Sequence, residues 1–97
     1  MQYGWSRLKG SKLKKTDLKG SNLSGAKLME ANLQGAKLEK AYLQTTDLTG
    51  ANLVSSDMQK AYLNEANLKK ANLSGANLKR AHLKGASLED AIFRGQV

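Results

Sequence analysis

The chain has no cysteine and no proline. Without cysteine there is no disulfide framework and no thiolate metal site, which accords with a reducing compartment. Only one histidine occurs, His82, so there is no second imidazole or thiolate with which to build a metal centre. Aromatic residues are few: Tyr3, Trp5, Tyr42, Tyr62 and Phe93. No apolar run approaches the roughly 18 residues that a membrane span needs. The opening M-Q-Y-G-W-S-R-L has no apolar core of the kind a secretory signal carries, so the expected location is cytoplasmic. There is no glycine-rich phosphate loop, no G-x-S-x-G elbow and no Ser-His-Asp set. These absences argue against an enzyme: no catalytic, cofactor-binding or metal-ligating residue is assigned, and no cofactor is expected. Acidic residues are also scarce, eight against sixteen Lys and Arg, for a net charge of +8. The surplus lies toward the ends. Residues 1–20 hold six cations and one acid, and residues 69–88 hold five cations and none.

What is present is a five-residue unit, clearest over residues 66–80 as A-N-L-K-K, A-N-L-S-G, A-N-L-K-R. From Leu8 to Phe93 every fifth residue is a unit centre, 18 in all; sixteen are Leu and the others are Met58 and Phe93. Two residues before each centre stands Ala twelve times, Ser four times (Ser6, Ser11, Ser21, Ser56) and Thr twice (Thr16, Thr46). The 97 residues thus read as a single domain, with flanks at 1–5 and 96–97 and repeats over 6–95.

A period of five suits neither regular element. In an α-helix each unit advances about 140° past a full turn, so the leucines would spiral around every face. In a flat strand they would alternate between faces. They share one interior only if the backbone turns a corner once per unit, always in the same sense. Four units close a coil of twenty residues, and coils stack at about 4.8 Å. Twenty is supported over fifteen by recurrence: K-A-Y-L at 40–43 and 60–63, R-A-H-L at 80–83, and A-N-L at 31–33, 51–53 and 71–73.

Tandem A-[ND]-L-x-x in unbroken register resembles the pentapeptide-repeat family. The resemblance covers residues 6–95 and implies a right-handed quadrilateral parallel β-helix, all-β, of about four and a half coils. It also implies that centre and small residues face inward and the other three outward. The chain departs from the motif just before many centres, at Arg7, Lys12, Lys27, Lys37, Tyr42, Tyr62, His82, Ser87 and Ile92.

Several local expectations follow. Asn32, Asn52 and Asn72 form one outward ladder, and Asp17, Lys37 and Asp57 alternate in sign along another. Glycine at the last position of a unit suits unusual backbone angles. Because Lys, Glu and Thr share that slot, a left-handed backbone is not expected at every corner. Met1, Tyr3 and Trp5 are candidates to fold over the first coil, and Ile92, Phe93 and Val97 to cover the last. Neither flank reads as a capping helix, which leaves three possibilities: small terminal caps, a fragment of a longer solenoid, or an end-to-end homodimer through exposed coil edges, the last slightly favoured by the shortage of capping residues.

The most distinctive surface feature is a repeated cation–Ala–ring triplet: Lys40 with Tyr42, Lys60 with Tyr62, and Arg80 with His82. At a period of twenty these align as a basic stripe beside planar rings. Two readings stay open. The stripe holds a phosphate backbone or an acidic protein segment, with rings available for stacking; or the rings stack on one another and serve the coil. The function that follows is a non-enzymatic structural or protein-interaction module with an unidentified protein partner. The alternative is a binder of nucleic acid or an anionic membrane surface through basic outer zones. Acidic members of the resembled family mimic DNA; this positive surface has the wrong sign for that.

Overall fold

The structure, a computed structural model, describes residues 7–96. The chain winds as a four-sided solenoid. Thirteen parallel bridges join residues exactly one coil apart, from Lys12 with Asn32 to Asn72 with Ile92, and every one spans twenty residues. The sides are held by isolated bridges, with no extended strand among the described residues. Each bridged residue is followed within two positions by a turn, which leaves no room for a longer ladder. The all-β expectation therefore holds in how the coils pair, not in strand length.

Seventeen of the eighteen corners, all but the one after Phe93, are built the same way. The amide three residues after a unit centre donates to that centre's carbonyl, as Ala26 does to Leu23 and Ala51 to Leu48, both at 3.0 Å. The residue before that amide has positive φ, which is the type II turn pattern. This overturns the expectation that only some corners would be left-handed. All eighteen are: the eight glycines and ten other residues, among them Lys15, Glu30, Lys40, Thr45, Lys60 and Arg80. A side chain there costs about 1–2 kcal/mol, and the chain accepts it because the corner is closed by coil-to-coil hydrogen bonds. Leu23 N–H donates to the Tyr42 carbonyl at 2.7 Å, and Tyr42 N–H to the Ser21 carbonyl at 2.9 Å. The same pair of bonds recurs along the chain and locks each unit to the coils on both sides.

The turn aims the centre and small residues inward. Leu18 through Leu73 at the centres, Met58 included, and the alanines from Ala26 to Ala76 are buried. Thr46 and Ser56 occupy small positions and are equally buried. Thr46 Oγ1 donates to the Leu43 carbonyl at 2.8 Å, whereas Ser56 Oγ has no partner. Burial fades at both ends: Leu8, Leu13, Leu78 and Leu83 are partly covered. At the C-terminal rim Leu88 is 39% and Phe93 42% exposed. Phe93 does not close that end. Ile92 belongs to a bridge with Asn72 and sits on a side, not over the rim. Met1, Tyr3, Trp5 and Val97 lie outside the described residues.

The outward ladders behave differently from expectation. Asn32, Asn52 and Asn72 are bridged in register, but each Oδ1 accepts from the backbone amide two residues on, in its own turn, at 3.0–3.1 Å. All nine Asn and Asp residues at this position do so. A short side chain bearing an oxygen caps a turn amide there, which is why the unit favours these two residues. Asp17, Lys37 and Asp57 are bridge neighbours, yet they form no ion pair. The ion pair among the described residues is Lys69 with Glu89, at 4.0 Å and exposed on both sides, so it adds little.

The corner geometry sets different tolerances for two glycines. A Cβ on Gly20 would meet nothing within 4 Å, whereas one on Gly85 would lie 2.9 Å from Glu65 Cγ. Gly20→Ala is expected to cost about 1 kcal/mol of stability from the left-handed backbone alone. Gly85→Ala is expected to cost more, because Glu65 must also move. Urea midpoints of the two variants measure this; equal midpoints would contradict it.

Candidate interaction surface

Twenty-residue stacking sorts the outward residues onto four sides. The side made of residues 20–24, 40–44, 60–64 and 80–84 differs from the rest. It carries Lys40, Lys60, Arg80 and Lys84 at its two corners, and the acids at those corners are Glu39, beside Lys40, and Glu65, beside Asn64. The other six acids lie on the remaining three sides: Glu30 and Asp90 on one, Asp17 and Asp57 on the next, Asp47 and Glu89 on the last. The fold thus gathers four cations from three successive coils against two acids at the corners.

The six residues of the triplets do come together. Tyr42, Tyr62 and His82 are bridged in succession. Tyr42 and Tyr62 stack with ring centroids 4.9 Å apart and planes 4° from parallel; Tyr62 and His82 stack at 4.7 Å and 4°. Both faces of Tyr62 are therefore covered by rings of the protein itself. There is no open face between the stacked members; Tyr42 and His82 each keep one face free of a ring neighbour. The ring-on-ring reading is what the geometry contains, and it leaves polar edges outward.

Beside the rings, Lys40, Lys60 and Arg80 follow one another at a corner with φ of 58°, 61° and 60°. Lys40 and Lys60 line a surface cleft of about 210 Å³ together with Glu39 and Gln59. Glu39 lies just across the corner, and its Oε1 is buried with no hydrogen-bond partner. On the other flank Ser24 Oγ donates to Gln44 Oε1 at 3.1 Å, and Asn64 and Lys84 continue that column. A larger cleft of about 450 Å³ is lined by Arg7, Lys9, Lys27 and Met29, on a side that also carries three acids.

This side breaks local rules three times in three consecutive coils. It places side chains, not glycine, at left-handed corners. It stacks like charges one coil apart, which repel. It replaces the Asn or Asp that would cap the following amide with Tyr42, Tyr62 and His82, whose side chains cannot. Sequence reasoning found all six residues, because they repeat at twenty. It missed the basic character of the whole side, including Lys84, since that appears only once residues are sorted by side and not along the chain.

The family model for pentapeptide repeats, eight copies, matches residues 5–28, 26–64 and 56–95. The chain belongs to the pentapeptide-repeat family. Family members of solved structure adopt a right-handed quadrilateral β-helix. The pentapeptide-repeat protein alr5209 from Nostoc Pcc 7120 is similar at 33% identity and a TM-score of 0.76, covering 77% of this chain and 62% of that one. A pentapeptide-repeat protein from the Arabidopsis thaliana thylakoid lumen is 28% identical with a TM-score of 0.51, covering 87% and 62%. Rfr23 from the cyanobacterium Cyanothece 51142 is 35% identical with a TM-score of 0.48, covering 87% and 65%. The chain spans a little under two thirds of the length of each of these relatives. No curated protein matches. No helix among the described residues is long and apolar enough to cross a membrane. A relative from a thylakoid lumen means that this fold does not by itself carry the cytoplasmic expectation.

Proposed function

We propose that this pentapeptide-repeat protein is a non-enzymatic interaction module that acts through its outer sides. The observation behind this reading is the division of the repeat. Two of every five positions fill a leucine and alanine interior with no space for a substrate, and all chemical variety lies on the outward three. The stack of about four and a half coils is then a short four-sided prism, 33 × 25 × 23 Å, whose sides differ in charge. Substitution of a photo-crosslinking residue at Asn52, Asp57, Tyr62 or Asn67 places one probe on each side of one coil. In extracts of the source cells, adducts of one discrete mass are expected from one side and not from its opposite. Absence of any adduct from all four positions would contradict the reading.

A second reading concerns copies of the chain. Exposed Leu88 and Phe93 form an apolar C-terminal rim. Among the described residues, the amides of Leu83, Gly85 and Leu88 have none of the coil-to-coil acceptors that their counterparts one coil earlier have. Apolar surface beside unpaired backbone donors favours end-to-end pairing. Sedimentation velocity at rising concentration is expected to show a dimer that Leu88→Lys and Phe93→Lys dissociate. A monomer at every concentration would contradict it.

A further inference from the structure

We infer that the basic side built from residues 20–24, 40–44, 60–64 and 80–84 is the binding surface, and that its partner is an extended protein segment rich in Asp and Glu. The inference rests on the interaction reading and names the side and the chemistry of the partner.

Three observations carry it. The first is charge. Four cations share one side against Glu39 and Glu65 at its corners, while the other six acids of the chain are placed elsewhere. Lys40, Lys60, Arg80 and Lys84 have no ion-pair partner among the described residues. An anionic partner would neutralise a column that now repels itself. The second is the concentration of local cost. Left-handed side chains, like-charge stacking and lost turn caps coincide here over three coils and nowhere else in the described chain for so long. Positions that break local rules together are where a fold carries function.

The third is the geometry of the rings. Single-stranded nucleic acid is usually held by successive bases stacking on aromatic faces, and here the rings stack on one another, with both faces of Tyr62 covered and one face each of Tyr42 and His82. What the side offers instead is a row of phenol groups, an imidazole edge and the amides of Gln44 and Asn64 between cations. These groups donate hydrogen bonds to carboxylates and exchange them with peptide backbone. Tyr and Arg are also residues that protein interfaces favour. Lys40 to Arg80 covers two coil steps, about 10 Å, against about 7 Å between same-side carboxylates of an extended chain, a mismatch that the long Lys and Arg side chains take up. Glu39 and Glu65 at the corners oppose such a partner and mark the edges of the surface.

The test uses a fluorescein-labelled twelve-residue peptide of alternating Glu and Ser, titrated with the whole protein at low salt and followed by anisotropy. Binding is expected, and it should weaken as salt rises. Lys40→Ala/Lys60→Ala/Arg80→Ala together should lower affinity at least about tenfold, whereas Lys12→Ala/Lys14→Ala/Lys70→Ala, removing equal charge from another side, should lower it by less than about threefold. Tyr42→Phe/Tyr62→Phe keeps the rings and removes the hydroxyls; it should weaken binding, while Glu39→Gln should tighten it. These conservative changes keep the test valid even if the alanine variants fold poorly. No peptide binding, an equal loss from both triple variants, or tighter binding to a 20-nucleotide single strand, a 20-base-pair duplex or phosphatidylserine vesicles would overturn the inference. If the peptide fails while the cross-linking experiment yields an adduct from another side, the interaction reading stands and this surface is wrong.

Discussion

The left-handed residue that closes each corner is the constraint on which the rest depends. It turns the backbone by the same amount every five residues, and so brings eighteen centre residues to one axis. The strain is local and repeated, of the order of 1–2 kcal/mol wherever the residue is not glycine. It is offset by three terms that the same corner creates: a buried leucine, a buried small residue and coil-to-coil hydrogen bonds of 2.7–3.0 Å on either side. A fully buried leucine alone contributes roughly 1.5–3 kcal/mol. None of these terms is available to an isolated unit. Each needs a neighbour above or below, which is why stability in such stacks is a nearest-neighbour property.

From this constraint the roles of the five positions follow. The residue two before the centre enters the interior directly after the turn, so only Ala, Ser or Thr fits. The residue just before the centre lies on a flat side and bridges to the next coil. An oxygen-bearing short side chain there caps the next turn, as in all nine Asn and Asp cases. The two residues after the centre form the corner and face solvent. Architecture and surface are thus nearly independent, and a side can be given its own chemistry at modest cost to the core.

Much of this was legible in the sequence, because a period of five combined with apolar centres admits few solutions. The coil length of twenty was visible in the spacing of K-A-Y-L and R-A-H-L. The ring stack followed from the same spacing. Other features were hidden for physical reasons. Lys, Glu and Thr at the corner looked like evidence against positive φ, since residue preference reports cost and not whether the cost is met. The Asn column looked like an inter-coil ladder, because register alone does not say whether an amide turns along the axis or back to its own backbone. The basic side could not be seen along the chain, where Glu39 stands next to Lys40; only the stacking of coils puts Lys40, Lys60 and Arg80 in line, with Glu39 at the same corner.

That side is where the chain departs furthest from what its fold prefers. Glycine would relieve the corner, and Asn would cap the turn, in each of the coils holding Lys40, Lys60 and Arg80. Keeping cations and rings there instead is a stability cost with a surface as its product. Urea unfolding of the variant Lys40→Gly/Lys60→Gly/Arg80→Gly measures that cost most directly. Relief of three left-handed side chains and of their mutual repulsion, less the greater unfolded-state freedom of glycine, is expected to raise stability by about 1–3 kcal/mol. An unchanged or lower midpoint would mean that these side chains stabilise the coil, and would contradict the account.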